Sequence, residues 1–238
     1  KFKKFNKKMK PICIIPARSG SKRIKNKNIK LFFGKPIIYY SIKAAIKSKC
    51  FSDVFVSTDS IKIKKISEKY GAKVKFLRPK NLSGDRINTR PVISHAIKKL
   101  FPQKIKPKFI CYMTSTCPFV SVKDIREGFK LIKKKNINFA FTVSTFSYPL
   151  QRALKLKKNN RISMLNTKFR NSRSQDLETF YHDAGQFYWA KTNAVLKNLN
   201  TFDVHSMPIL VDRFRAIDID TPEDWKFAEL MGEYLIKK

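Results

Sequence analysis

Between Pro16 and Asn28 the chain concentrates groups suited to holding phosphate. Arg18, Lys22, Arg23 and Lys27 bring positive charge. Ser19, Gly20 and Ser21 bring little bulk, so backbone N–H groups can approach phosphate oxygens while the cations neutralise them. The run matches neither the Gly-x-x-x-x-Gly-Lys-Ser/Thr loop nor the Gly-x-Gly-x-x-Gly turn, and in isolation it reads equally as a basic turn after a strand.

A second constellation is Asp218-Ile219-Asp220. On a strand, residues two apart face the same side, so both carboxylates project together while Ile219 turns to the core. Two hard oxygen ligands at a strand end suit Mg²⁺, which takes few carboxylates and keeps waters and substrate phosphates. The next residues have a local explanation: Thr221 caps a helix, Pro222 fits its first turn, and Glu223 and Asp224 favour its dipole. Capping does not account for Asp218.

Two further stretches carry polar groups at loop positions. Arg78-Pro79-Lys80-Asn81-Leu82-Ser83-Gly84-Asp85 follows an expected strand, and Arg78 and Thr89 suit contact with a base or ribose; the alternative is a surface loop with a helix cap at Asn88 or Thr89. Arg173 and Gln175, then His182, Asp183 and Gln186 within Tyr181–Trp189, suit the wall of a pocket for a polyhydroxylated substrate, with Arg173 as a planar fork for a carboxylate. Phe187, Tyr188 and Trp189 read as core strand residues. No Ser or Cys with a supporting motif makes His182–Asp183 part of a nucleophilic triad.

The elements that must position these groups alternate. Strands are expected at Ile12–Ile15, Asp53–Ser57, Val74–Leu77, Phe109–Met113 and Phe139–Val143. Helices are expected over Pro36–Lys49, after Thr58-Asp59 and ending near Tyr70 with Gly71 as the stop, over Arg90–Leu100 and over Asp124–Lys134. From Ser144 to about Asp183 the rhythm breaks, and Lys157-Lys158-Asn159-Asn160 reads as a hairpin turn. Residues 144–183 are therefore expected to form an inserted lobe, a dimer contact or a substrate lid. Regular structure returns at Gly185–Trp189, a helix near Thr192–Lys197, strands around Ile209 and at Ala216–Ile219, and a last helix from Pro222. The order predicts an α/β, Rossmann-like domain over residues 9–238: a mainly parallel sheet with helices on both faces. Residues 1–8 are set apart as an N-terminal extension.

At 238 residues and 42% hydrophobic, the chain can bury one substantial core. No apolar run approaches the ~20 residues of a membrane helix, and the Lys-rich start lacks the apolar stretch of a secretory signal. The four cysteines show no metal spacing and fit a reducing, cytoplasmic compartment. A formal charge of +35 invites a nucleic-acid reading, but the lysines are scattered over nearly every element, so no specific nucleic-acid partner is expected. The field favours approach of anionic substrates.

Taken together, Ile15–Arg23 with Lys27-Asn28-Ile29, Val56-Ser57-Thr58-Asp59, Arg78-Pro79 and Asp218–Asp224 resemble the motifs of the acylneuraminate cytidylyltransferases, in the same order and over nearly the whole chain. Asn171–Leu177 and Tyr181–Trp189 are most similar to the branch of that family acting on pseudaminic acid. Thr114-Ser115-Thr116-Cys117-Pro118 stands where the sialic acid enzymes carry Gln-Pro-Thr-Ser-Pro, and Ser19 replaces a usual glycine. The resemblance implies transfer of CMP from CTP to the anomeric hydroxyl of a nine-carbon α-keto acid sugar. Pseudaminic acid is the expected acceptor, with neuraminic, legionaminic and 3-deoxy-octulosonic acids as alternatives.

It also implies roles. Arg18, Ser19, Gly20, Ser21, Lys22 and Arg23 would hold the triphosphate, with Lys27 and Asn28 by the phosphates and ribose, Arg78 and Thr89 by the cytosine, and Asp85 nearby. Asp218 and Asp220 would bind Mg²⁺; with Arg18 and Lys22 they form the expected catalytic set. A metal-bound hydroxide or Asp85 are the candidates for proton acceptor. Arg173, Gln175, His182, Asp183 and Gln186 would face the sugar, and a homodimer is expected through the lobe.

Overall fold

Short β-branched and aromatic runs separated by amphipathic stretches dictate alternation of strand and helix. In the computed structural model, which describes residues 9–103 and 105–236, the N-terminal half runs β1 (Ile12–Pro16), β2 (Leu31–Phe32), β3 (Lys35–Pro36), α1 (Ile38–Ser48), β4 (Asp53–Ser57), α2 (Ile61–Lys69), α3 (Thr89–Leu100), β5 (Phe109–Met113) and α4 (Val122–Leu131). The rest comprises β6 (Phe139–Thr145), β7 (Leu154–Leu156), β8 (Ile162–Met164), β9 (Tyr181–Lys191), α5 (Thr192–Leu196), β10 (Ser206–Leu210) and α6 (Pro222–Leu235). The expected N-terminal extension, residues 1–8, lies outside the described residues.

Six strands form one sheet in the order β10-β6-β9-β5-β1-β4. Every neighbouring pair is parallel except those made by β9, which runs antiparallel to both β5 and β6. Period-2 alternation sorts the strand side chains: Cys13 and Ile15 pack with residues of α1, α2 and α4, while Ile12 and Ile14 pack with residues of α3 and α5. Both faces are covered, so the strands read as continuous apolar runs. At Gly128 of α4 a Cβ would stand 2.5 Å from Trp189 and 2.6 Å from Ile209, so the helix packs against the sheet there without room for a side chain. No helix among the described residues is long and apolar enough to cross a membrane.

Residues 146–180 leave the sheet. They hold the β7–β8 hairpin, whose turn at Lys157–Asn160 places Asn160 at φ 57°. Ser144, Thr145, Tyr181 and His182 belong instead to the paired ends of β6 and β9.

Two expected strands do not form. Val74–Leu77 is tied to β4 and the residue after it by isolated bridges at its two ends, Phe55↔Lys73 and Thr58↔Leu77. Their registers differ by one residue, so no continuous ladder can run between them. Ala216–Ile219 joins no sheet. Ile217 and Ile219 instead enter a third apolar cluster with Phe32, Phe119 and Trp225 of α6. Pro36, expected in a helical first turn, sits in β3, and the helix starts at Ile38.

Candidate active site

Parallel strands deliver their following loops to one edge of the sheet, and a cleft of about 530 Å³ opens there. The loop after β1 contributes Arg18, Ser21, Lys27 and Asn28, and the segment between β4 and α3 contributes Arg78, with Thr89 at the start of α3. Ser115 and Thr116 follow β5. Because β9 is antiparallel, its first residues reach the same edge and add Asp183, Gly185 and Tyr188. Asp218 lines the cleft from the C-terminal segment.

The phosphate-type loop is held from several directions. Asn28 is buried and donates from Nδ2 to the Arg18 carbonyl at 2.8 Å, while its Oδ1 accepts from Ser115 Oγ at 2.7 Å. Ser19 donates its N–H to Asp59 Oδ1 at 2.8 Å and its hydroxyl to Oδ2 at 2.7 Å. Arg18 and Lys22 share the Asp85 carboxylate, with Lys22 Nζ 2.7 Å from Oδ2. Gly20, Ser21 and Lys22 line a shallower basin beside the main cleft, together with Asp85.

Asp220 joins this loop to the late acidic pair. Arg23 Nη2 lies 2.7 Å from its Oδ2 and Lys27 Nζ 2.9 Å from its Oδ1. Burial raises the Asp220 pKa, but the Lys27 and Arg23 bonds outweigh it and hold the carboxyl below the usual range. Asp218 behaves oppositely. Its carboxylate makes no hydrogen bond or ion pair among the described residues, and desolvation by the cleft walls, then the Asp220 charge, push its pKa up. Alternate burial of Ile217 and Ile219 turns the two aspartates away from the core, as the spacing predicted, although the segment is not a strand. The expected Thr221 cap is present, and Asp224 extends it to a capping box: Thr221 Oγ1 accepts from Asp224 N, and Asp224 Oδ2 accepts from Thr221 N. The carboxylates near the cleft are Asp218 and Asp183 in its lining and Asp220 at its edge, the last with one oxygen on Arg23 and the other on Lys27. No group of three or more His, Cys, Asp or Glu poised for a metal occurs among the described residues, so further ligands would be water or phosphate.

Arg78 is buried at 5% exposure and donates from Nε to Ser83 Oγ at 3.1 Å. Burial draws its pKa down, and the Asp59 carboxylate opposes that shift. On β9, Gly185 adopts φ 65°, and the β6–β9 register shifts between Phe141 and Val143. This irregularity presents Asp183 to the cleft, where Oδ1 accepts from Gly185 N at 2.8 Å and Oδ2 from the Tyr188 hydroxyl. Tyr188 stacks on Tyr112 at 4.8 Å, and burial followed by the Asp183 charge raises its pKa strongly, keeping it a donor.

Arg18, Ser21, Lys27, Asn28, Arg78, Thr89, Asp183 and Asp218 therefore meet in one cleft, with Ser19, Gly20, Lys22, Arg23, Asp85 and Asp220 at its edge. Ser19 departs from expectation, because its N–H is already committed to Asp59. Asp85, the expected alternative proton acceptor, is held here by Lys22 and then Arg18, and those bonds depress its pKa. Gln186 is corrected as a cleft residue. It is 1% exposed, and its Nε2 donates to the Arg215 carbonyl at 2.5 Å. Arg173 pairs with Asp176 in the lobe at 2.9 Å, and Gln175 lies beside it. His182 packs against Phe146, outside the cleft lining.

Sequence reasoning missed Tyr188, Ser115 and Asp59. Tyr188 was recoverable from period-2 alternation, since Phe187 and Trp189 are fully buried on the other face. Ser115 and Asp59 stand within segments that the family resemblance quotes, and both follow strand ends, but neither was given a role.

The chain matches the family model described as cytidylyltransferase over residues 12–234. It is 40% identical over 223 residues to a pseudaminic acid cytidylyltransferase of Campylobacter jejuni, covering 94% of this chain and 96% of that protein. It is 32% identical to a CMP-N,N'-diacetyllegionaminic acid synthase of Legionella pneumophila, covering 94% and 97%. The fold is similar to that of a CMP:2-keto-3-deoxy-manno-octonic acid synthetase solved with CTP, at a TM-score of 0.69 and 15% identity, covering 95% of this chain and 100% of that one.

Proposed function

Because the chain belongs to the cytidylyltransferase family, we propose that it transfers the cytidylyl group of CTP to the anomeric hydroxyl of pseudaminic acid, releasing pyrophosphate. The observation that carries this reading is the convergence of the cationic loop and the acidic pair: Arg23 and Lys27 reach Asp220, and Asp218 faces the same cleft as Arg18. The anomeric hydroxyl gives up its proton to water as its oxygen forms a bond to the α-phosphorus, the bond from that phosphorus to the bridging β-phosphate oxygen breaks, and pyrophosphate leaves with the electron pair. Arg18 and Lys22 would exchange Asp85 for triphosphate oxygens and offset the charge that grows on the leaving group. Arg78 and Thr89 would orient the nucleoside, and Asp183 and Tyr188 would present an acceptor and a donor to sugar hydroxyls. Catalysis of this kind is mainly positioning and charge stabilisation.

Asp218 and Asp220 would hold Mg²⁺. The Asp218 carboxylate, without a hydrogen-bond or ion-pair partner among the described residues, supports the fit, and Asp220 would share its oxygens with Arg23 and Lys27, since this ion takes one or two carboxylates plus phosphates and waters. When bound, the ion supplies charge neutralisation at the phosphates. The chain would act as a homodimer through the lobe, which exposes Tyr148, Leu154, Leu156, Ile162 and Leu165. Four free thiols support a cytoplasmic setting.

The test is pyrophosphate release with CTP, Mg²⁺ and a panel of nonulosonic and octulosonic acids. Preference for pseudaminic acid is expected, and a clear preference for neuraminic, legionaminic or 3-deoxy-octulosonic acid would overturn the acceptor assignment.

A further inference from the structure

The loop that carries Arg18 and Lys22 rests on a carboxylate that does not line the cleft. Asp59 follows the end of β4, and its two oxygens take both polar hydrogens of Ser19, the N–H at 2.8 Å and the hydroxyl at 2.7 Å. On the other side, Ser19's carbonyl accepts from Ser21 N at 2.9 Å. Ser19 is thus the pivot between Arg18 and Ser21, which both line the cleft.

The neighbours of Asp59 make the same connection. Ser57 O accepts from Ala17 N at 2.9 Å, and Thr58 O accepts from Arg78 N at 2.7 Å. One tripeptide, Ser57–Asp59, therefore grips the loop after β1 and the segment carrying Arg78. A carboxylate near a triphosphate site repels the substrate, so its presence calls for a compensating role. Helix capping does not supply one: Ser60 is the N-cap of α2 and accepts from Ile63 N through its own hydroxyl. The α2 dipole and the buried Arg78 guanidinium favour a negative charge at this place, and each oxygen takes one Ser19 bond.

We propose that Asp59 is a positioning residue for cytidylyl transfer: by holding both donors of Ser19 it fixes the 18–22 loop in the shape that receives the triphosphate. This rests on the nucleotide reading of the cleft given above. Prior fixing of the loop removes an ordering cost from nucleotide binding and aligns Arg18 before CTP arrives.

CTP binding to the full chain by calorimetry, with steady-state kinetics and thermal melts on the same samples, tests the idea. Asp59→Ala is expected to weaken CTP binding and raise the CTP KM by about tenfold, as for loss of hydrogen bonds to a charged group, with the sugar KM within about twofold. Asp59→Asn offers one acceptor and one donor to a serine hydroxyl that can rotate, and should retain most of the affinity. Ser19→Ala should weaken CTP on its own and add nothing in the Asp59→Ala background. Should Asp59→Ala not fold, Ser19→Ala carries the test from the other end of the bond, and wild-type CTP affinity in it overturns the proposal. Unchanged CTP binding in Asp59→Ala, multiplying losses in the double variant, or CTP and sugar KM rising together with the loss of thermal stability each overturn the proposal alone. A wild-type chain that binds no CTP overturns the functional reading and takes this proposal with it.

Discussion

Lys27 Nζ donates to Asp220 Oδ1 at 2.9 Å and to the Ile219 carbonyl at 2.7 Å, joining residues 193 positions apart. The Lys27 side chain is only 18% exposed, so the pair is better shielded than a surface salt bridge. Asp220 is thereby a mechanical link between the phosphate-type loop and the acidic segment, while Asp218 has no hydrogen-bond or ion-pair partner among the described residues.

Asp220→Asn should lose turnover. It should also lose stability, because a half-buried ammonium and the Arg23 guanidinium lose their charged partner: about 1–3 kcal/mol, or about 2–10 °C in Tm. Pyrophosphate release and a thermal melt measure the two effects. Full activity in the variant would remove the metal assignment.

Lys22→Ala separates function from folding. Its side chain is 84% exposed, so its bond to Asp85 should hold little stability, within about 0.5 kcal/mol. If it meets the departing pyrophosphate, kcat should fall about 10²-fold with Tm unchanged. An unaltered kcat would place the leaving group elsewhere.

Asp85 gives a pH prediction. Its folded pKa is depressed by Lys22 and Arg18, so its contribution to stability is fully present above the unfolded value of 3.8 and is lost as pH falls through the lower folded value. The Tm difference between wild type and Asp85→Asn should be constant near neutrality and vanish in strong acid. A difference that grows on acidification would contradict the pairing.

Backbone geometry at β9 is testable through Gly185→Ala. The φ of 65° there should cost about 1–2 kcal/mol in an alanine, and the shift in Asp183 should raise the sugar KM more than the CTP KM. Equal changes in both would detach the irregularity from the sugar side.

For the proposed dimer, Leu156→Lys should release monomers, since Leu156 is 68% exposed on a lobe face with several other large apolar side chains. Light scattering reads the mass. A variant that stays at the wild-type mass moves the contact away from the hairpin.

Local chemistry was legible where one periodicity or one turn decides the outcome. β4 and β5 fall where expected, Gly71 ends α2 at φ 97°, and the Thr221 capping box opens α6. These depend on residues within a few positions of one another. Val74–Leu77 has the composition of a strand, yet it lacks a partner in continuous register, and no local pattern encodes a register. Gln186 has a polar side chain in a polar run, yet the tertiary fold turns its amide to Arg215, 29 residues away.

From the chain's own order of residues came the α/β alternation, the cationic turn and the paired aspartates, because side-chain size, charge and spacing act over one turn or one strand. Only the folded arrangement decided which donors each carboxylate meets: Asp59 the N–H and hydroxyl of Ser19, Asp85 the cations Arg18 and Lys22, Asp220 the cations Arg23 and Lys27, and Asp218 none among the described residues. Ion pairing falls off within a few ångströms, and those distances are set by strand order and loop reach across the sheet.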